Sequence, residues 1–396
     1  MMALLYTLWK SISSTFWSEW FWLPTNCTWK QLENTDSGIY LPQAGDIIIV
    51  LPLAVLLLVV RKLFERYFAS PLGQYLGLSL TGENVEKPTP NIILEKFFHD
   101  NKKPTDADFV ALQKQTDSTR RQIERWFRNR RNQDRTKTLH KFTESSWRFI
   151  FYLLIFWYGV VVLHNKPWVW DRKLTFQGWP YHHVTNDIFW YYAIEAGFYV
   201  SLLISVFSDV RRKDFWEMVV HHLCTLGLMF TSYSGSLLRV GALVLVVHDA
   251  VDYWLEAAKL FKYIATVNKK WQPLCDILFV IFFIIWIATR LIIFPVWIIY
   301  NTLFLAPNYF GFPPLYFLIN FMLVALQILH IFWSIIIGKI AWNAINKGGI
   351  EKDERSDSDI EVSGEEENSN KPEFIINGSH NLRSRVTQQE SVNSHK

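Results

Sequence analysis

The sequence predicts an all-α, polytopic membrane protein with about seven transmembrane helices and one small helical insert on the cytosolic side. Three observations carry that expectation. Half of the 396 residues are hydrophobic, and they come in long runs. Several runs approach the ~20 residues that a bilayer core requires. Aromatic residues make up 16% of the chain, with 19 Trp, and Trp and Tyr gather where protein meets a lipid interface. The charged residues lie in blocks between the runs, so the net charge of +4 says little about partners.

Residues 1–38 read as a luminal segment. Their apolar run is short and ends in Trp-rich sequence without a small-residue cleavage site, so no signal-peptide pattern is present. Trp9, Trp17, Trp20 and Trp22 are expected to act as interfacial anchors. Residues 39–64 hold the first span. Its dense part, Ile47 to Val60, has 14 residues and contains Pro52, so a re-entrant or interfacial segment competes with a full span. Residues 65–139 form the soluble insert, with helices expected at 106–117 and 120–135. The membrane domain, 140–342, carries runs at 147–164, 188–207, 216–233, 237–258, 274–300 and 315–342. Cys27, Cys224 and Cys275 show no paired spacing, so neither a disulfide framework nor a cysteine metal site is expected.

Basic residues orient the spans. Arg61 and Lys62 follow the first run, Arg211, Arg212 and Lys213 separate the third from the fourth, and Lys259, Lys262, Lys269 and Lys270 separate the fifth from the sixth. Alternation puts all three groups on one side, which the positive-inside rule makes cytosolic. The N-terminus is then luminal and the C-terminus cytosolic. Asn26-Cys27-Thr28 is a glycosylation sequon on the luminal side, whereas Asn377-Gly378-Ser379 falls in the cytosol.

The chemistry concentrates in the fourth and fifth runs. The fourth carries His221, His222 and Thr225; the fifth carries His248, Asp249, Asp252, Glu256 and Lys259. An Asp at the centre of a membrane helix costs roughly 2.5–3.5 kcal/mol. Such groups face a polar interior and mark functional sites by default. His248, Asp252 and Glu256 recur at four-residue steps and Asp249 precedes Asp252 by three, so one broad helix stripe is expected to hold all four. Counting 1.5 Å per residue from the cytosolic ends puts His221 and Asp252 each about 10 Å into the bilayer. The histidine pair is therefore expected to meet the aspartate pair. His beside Asp suits general-base or nucleophilic catalysis. It also suits a metal, or a hydrogen-bonded tie between helices with no chemistry.

The residues His221-His222, Thr225, Arg239-Val240-Gly241 and His248-Asp249-x-x-Asp252-x-x-Leu255-Glu256-x-Ala258-Lys259 resemble the Lag motif of ceramide synthases. The sequon, the insert, a TLC domain of about 140–342 and an acidic tail are similar to the same family, over essentially the whole chain. The resemblance implies an enzyme of the endoplasmic reticulum membrane that moves an acyl group from acyl-CoA to the amine of sphinganine or sphingosine. It implies a His nucleophile, assigned to His221 with His222 as the alternative. Asp252 would orient the imidazole, Asp249 or His248 would handle the amine proton, and Thr225 could donate to the oxyanion. Lys259, Arg211 and Arg212 are candidates for the CoA phosphates. No metal and no cofactor are expected, acyl-CoA being a substrate. A dimer with itself or with related synthases is implied. The family's chain-length loop corresponds to Leu303, Phe304, Leu305, Ala306, Pro307, Asn308, Tyr309, Phe310, Gly311, Phe312 and Pro313, with a lean toward palmitoyl-length substrates.

Arg121 to Arg131 in the insert resembles the recognition helix of a homeodomain. Trp126 and Phe127 match its core pair, Asn129 its adenine-reading position and Arg131 a phosphate contact. The first helix is a poor match and a basic N-terminal arm is missing, so the resemblance covers the last two-thirds and DNA is not expected as a partner. The insert reads instead as a small unit with a basic outer face near anionic headgroups or acyl-CoA phosphates. From residue 343 onward a cytosolic tail begins. Glu351 to Glu367 holds nine acids and two bases, a composition that does not fold. Ser356, Ser358 and Ser363 each precede an acid by three residues and are phosphorylation candidates.

Overall fold

Long apolar runs become long helices, because a bilayer leaves backbone groups no partner but one another. The computed structural model describes residues 10–35, 38–78, 89–101, 104–134, 138–210 and 212–347. Arg211, Asn377 and the three tail serines, Ser356, Ser358 and Ser363, lie outside the described residues.

Among the described residues, five helical segments are long and apolar enough to cross a membrane. They are α1 (Ala44–Tyr75), α5 (Thr138–Leu163), α6 (Asn186–Ser205), α9 (Lys269–Tyr309) and α10 (Pro314–Lys347). Between them lie α7 (Phe215–Ser234) and α8 (Leu238–Ala265), of 20 and 28 residues. These two also have the length of a span. They fall outside the five on composition, because they carry the His, Asp and Glu residues discussed above. Length and composition together therefore support five of the seven expected spans.

The first run is one of the five. α1 is 32 residues long. Pro52 falls in the first turn of its α-helical part, Val50–Phe64, where a missing amide costs little. α1 is peripheral, with 17% of its most apolar stretch buried, whereas α6 is central with 67%. α1 packs on α6, α8 on α5 and α9, and α7 on α6 and α10. Phe151 of α5 and Phe198 of α6 stack at 3.5 Å in the central core.

α9 departs from expectation. From Ile287 to Ile299 and again from Asn301 to Leu305 it winds as a π-helix. Pro295 inside the first stretch cannot donate an amide bond, and wider turns are one way a membrane helix adjusts around a proline. The helix thus runs into the region expected to be a loop. Leu303, Phe304 and Leu305 remain helical, and Pro307–Phe310 adds one further turn. The chain breaks at Gly311, whose φ of 68° suits a residue without Cβ. The loop expected at 303–313 is therefore mostly helix, with a short exit before α10.

Opposite ends of the bundle differ. At one end, Arg61 of α1 bonds Glu65 at 2.6 Å and Asp209 at 2.7 Å, and Arg148 of α5 bonds Asp209 at 2.7 Å. Arg61 is thus a buried, paired residue rather than a free cation of a loop. Burial works against the Asp209 charge, yet Arg148 and Arg61 hold its carboxyl below the usual range. At the other end, Trp17, Trp22 and Trp29 cluster with Phe230 of α7. Trp22 is 1% exposed, and its indole donates to the Phe16 carbonyl at 2.7 Å. It is a core residue, not an interfacial anchor, whereas Trp20 is exposed.

Among the described residues of the insert after α1 there are three helices rather than the two expected: α2 (Ile92–Asp100), α3 (Asp106–Thr116) and α4 (Arg120–Asp134). Asn91 caps α2 by accepting from the amides of Ile93 and Leu94. Leu94 and Phe98 of α2 join Leu112, Ile123, Trp126 and Phe127 in a separate core. Nine residues are too few to display a helical period clearly, which is why α2 looked weak in the sequence.

Candidate active site

The geometry begins with a short connection. Gly235, Ser236 and Leu237 join α7 to α8, and Ser236 takes a left-handed φ of 57°. Trp179 pins this turn, its indole donating to the Gly235 carbonyl at 2.8 Å. His221 lies 14 residues before Gly235, and Asp252 lies 14 residues after Leu238. Two antiparallel helices joined so tightly bring these positions to the same level, about 21 Å from the turn.

Both residues line one cavity of about 160 Å³ at the end that carries Arg61 and Arg148. His222, Glu256, Lys259, Arg212, Arg148 and Asp209 line it too. A second, apolar cavity of about 50 Å³ lies toward the opposite end. Thr225, Met229, Gly241, Val244 and His248 line it, and Thr302, Ala306 and Pro313 line it from the 303–313 region and its border. Tyr199 of α6 borders both cavities.

The predicted residues are thus divided among three places. His221 faces the first cavity with its ring edge-on to Trp333 of α10 at 5.5 Å. The Nδ1 atoms of His221 and His222 have no hydrogen-bond partner. Asp252 shares the cavity, but the group that reaches it is Arg290 of α9, at 3.4 Å. Among the described residues no hydrogen bond joins either histidine to Asp249 or Asp252. Glu256 and Lys259 form a buried ion pair at 2.7 Å. Thr225 and His248 belong to the apolar cavity. Thr225 has a buried, unpartnered hydroxyl.

Asp249 lines neither cavity. It is fully buried against α6, where Tyr191 donates to it at 3.4 Å and Glu195 adjoins it. The four α8 positions were expected on one stripe, but they span about 100° of the helix circumference. That is wide enough for His248 to face α10 while Asp249 faces α6. On α10, His330 meets His248, with Nε2 to Nε2 at 3.2 Å. The Nδ1 of His248 lies 2.7 Å from the Val244 carbonyl. A carbonyl only accepts, so this nitrogen carries the hydrogen in a neutral ring, and His330 then donates through Nε2.

Arg290, His330 and Glu195 belong to this polar core, and the sequence reading passed over all three. Each is an ionisable residue inside an apolar run, and that criterion alone would have flagged them. Among the described residues no group of three or more His, Cys, Asp and Glu side chains is gathered to hold a metal. The arrangement offers two imidazoles and a guanidinium-bound carboxylate in one cavity lined by both cations and acids, with a separate apolar cavity beside it.

A polytopic helical bundle around such a cavity is the architecture of a TLC-domain membrane protein. The TLC domain model matches residues 141–339, and a homeodomain model matches residues 89–136. The chain is 44% identical to human ceramide synthase 5 over 352 residues, which is 89% of this chain and 88% of that protein. It is 42% identical to bovine ceramide synthase 4, covering 88% of this chain and 87% of the relative. It is also 42% identical to human ceramide synthase 3, covering 87% and 88%. The chain belongs to the ceramide synthase family.

Proposed function

We propose that the protein is an N-acyltransferase of the endoplasmic reticulum membrane that joins a fatty acyl group from acyl-CoA to the amine of sphinganine or sphingosine. The observation that carries this reading is the single cavity shared by His221, His222 and Asp252. Arg148, Arg212 and Lys259 stand among its lining, and Tyr199 borders both it and the apolar cavity. CoA phosphates suit these cations, with Arg212 and Lys259 as their contacts, and a hydrocarbon chain suits the apolar cavity. The positive-inside rule makes this end of the bundle cytosolic, the side from which acyl-CoA arrives.

In this reading the imidazole of His221 attacks the thioester carbonyl. The C–N bond forms, the C–S bond breaks, and CoA leaves as a thiol. The sphingoid amine then attacks the acyl-imidazole, the amide forms as the acyl–imidazole bond breaks, and the amine's proton, relayed by the site's carboxylates, replaces on the imidazole the one that left with the CoA thiol. His222 is the alternative nucleophile. Trp333 lies edge-on to the His221 ring and Tyr199 edge-on to the His222 ring, so both imidazoles are held in place. Asp252 stabilises the charged imidazole across the cavity. Asp249 stands one layer behind, so its part is to receive a proton through neighbours rather than to touch substrate. The 303–313 region sets chain length by closing the far end of the apolar cavity through Ala306 and Pro313.

The test is to supply detergent-purified protein with labelled palmitoyl-CoA and sphinganine, beside His221→Ala and Asp252→Ala. Ceramide-type product from the wild type, with losses of about 100-fold or more in both variants, is the expected result. A folded wild-type protein that binds both lipids and forms no amide would instead be a non-catalytic lipid-binding relative.

A further inference from the structure

Arg290 is a cation set inside a membrane helix, 3% exposed. Such a group is costly unless it is fully engaged. Its engagements all lead to one turn of α8. One terminal nitrogen donates to the Val247 carbonyl at 3.2 Å. The other donates to the His248 carbonyl at 2.9 Å and to Oδ1 of Asp252 at 3.4 Å. The Trp286 ring, one turn earlier on α9, lies 5.5 Å from the guanidinium carbon. Arg290 also lines the cavity that holds His221 and His222. Of the other cations that line it, Lys259 is drawn to Glu256 and Arg148 to Asp209.

We propose that Arg290 is a positioning residue for acyl transfer. It fastens the Asp252 carboxylate to the α8 backbone one turn before it, and so keeps that carboxylate facing the histidine pair. The planar fork matters: it can serve two adjacent carbonyls and a carboxylate together, which a point-charge ammonium cannot. Without it, Asp252 gains the freedom to swing away from the imidazoles. A displacement of about 1 Å in a reacting constellation can cost about 100-fold in rate. The proposal rests on the reading of Asp252 as part of the reactive site.

The test is a double-mutant cycle on the full-length purified protein, with palmitoyl-CoA and sphinganine as substrates. Arg290→Lys, Arg290→Gln, Asp252→Asn and the Arg290→Gln/Asp252→Asn pair are compared, with kcat expressed per folded molecule from thermal unfolding. Arg290→Lys, which keeps the charge and loses the fork, should lower kcat about 100-fold while KM for the acyl-CoA stays within about twofold. The pair should be no worse than Asp252→Asn alone, within about threefold, because Arg290 acts through that acid. Full kcat in Arg290→Lys, or losses that multiply in the pair, overturns the proposal. If Asp252→Asn is inactive while Arg290→Lys is fully active, only the positioning role falls. If Asp252→Asn keeps wild-type kcat, the reading of the site falls with it.

Discussion

At the scale of single residues, the ionisable side chains of α7 and α8 were legible because a charge or an imidazole stands out in an apolar run. Their directions were not. Whether Asp249 faces the cavity or α6 depends on which helix packs against that arc of α8, and spacing along one helix does not say. His182 shows the same limit. It lies in the connection that precedes α6, where nothing in the spacing singles it out. In the structure it is 3% exposed, with Nε2 at 2.9 Å from the Gln177 carbonyl. Burial, assisted by the nearby Arg239 guanidinium, pushes its imidazole down from 6.5 to about 4. The unfolded chain therefore binds a proton between those values while the folded protein does not. The resulting stability is complete above pH 6.5 and is lost as pH falls toward 4, on the order of 3 kcal/mol. Thermal melts of the wild type and His182→Gln at pH 7 and pH 4.5 check this. The wild type should lose more of its midpoint on acidification than the variant, and equal losses would show that His182 does not titrate in this way.

At the scale of elements, helices were readable where apolar spacing continued and poorly readable where local geometry decided. The run that became α9 announced a helix but not its π winding, which extends it through Leu305. α2 was too short to announce itself. Close helix approach is a third feature that hydropathy does not display. A Cβ on Gly241 of α8 would collide with the Tyr192 hydroxyl of α6, and would come within 3.0 Å of Ser232 Oγ on α7. Tyr192 is 3% exposed, and its hydroxyl bonds Ser232, so the ring has little room to retreat. Overpacking of this kind costs about 1–3 kcal/mol. Gly241→Ala should lower the thermal midpoint accordingly. Adding Tyr192→Phe, which removes the colliding oxygen, should recover part of the loss. Because both residues line the apolar cavity, activity on longer acyl chains should fall more than on shorter ones. A stable Gly241→Ala variant with unchanged chain-length preference would show that the three helices part easily at this point.

At the scale of the whole molecule, the alternation of hydrophobic runs with basic blocks conveyed a helical membrane protein and its insert. Composition alone supports five spans, because the polar residues that make α7 and α8 interesting also lower their hydropathy. The bundle separates the sequon from the basic residues of the opposite end. Asn26 is exposed, and Cys27 beside it lies 3.7 Å from Tyr181 in the α5–α6 connection, at the other end of α6 from Asp209. A glycosidase shift should therefore be seen for protein made in cells and should vanish in Asn26→Gln. A shift that persists there but vanishes in Asn377→Gln would invert the topology and move the cavity's end of the bundle to the lumen. The insert has its own core, so its loss should leave the membrane domain folded.

If acyl transfer runs through the histidine pair of α7, the mass of the protein during one turnover records it. Purified chain mixed with palmitoyl-CoA in the absence of amine should gain the mass of one palmitoyl group. Fragmentation should locate it on the α7 peptide, at His221, and hydroxylamine or sphinganine should remove it. His221→Ala should stay unmodified. A protein that converts sphinganine rapidly yet never shows the added mass under single-turnover conditions would contradict a covalent route. It would leave the histidines, at most, as bases for direct attack by the amine.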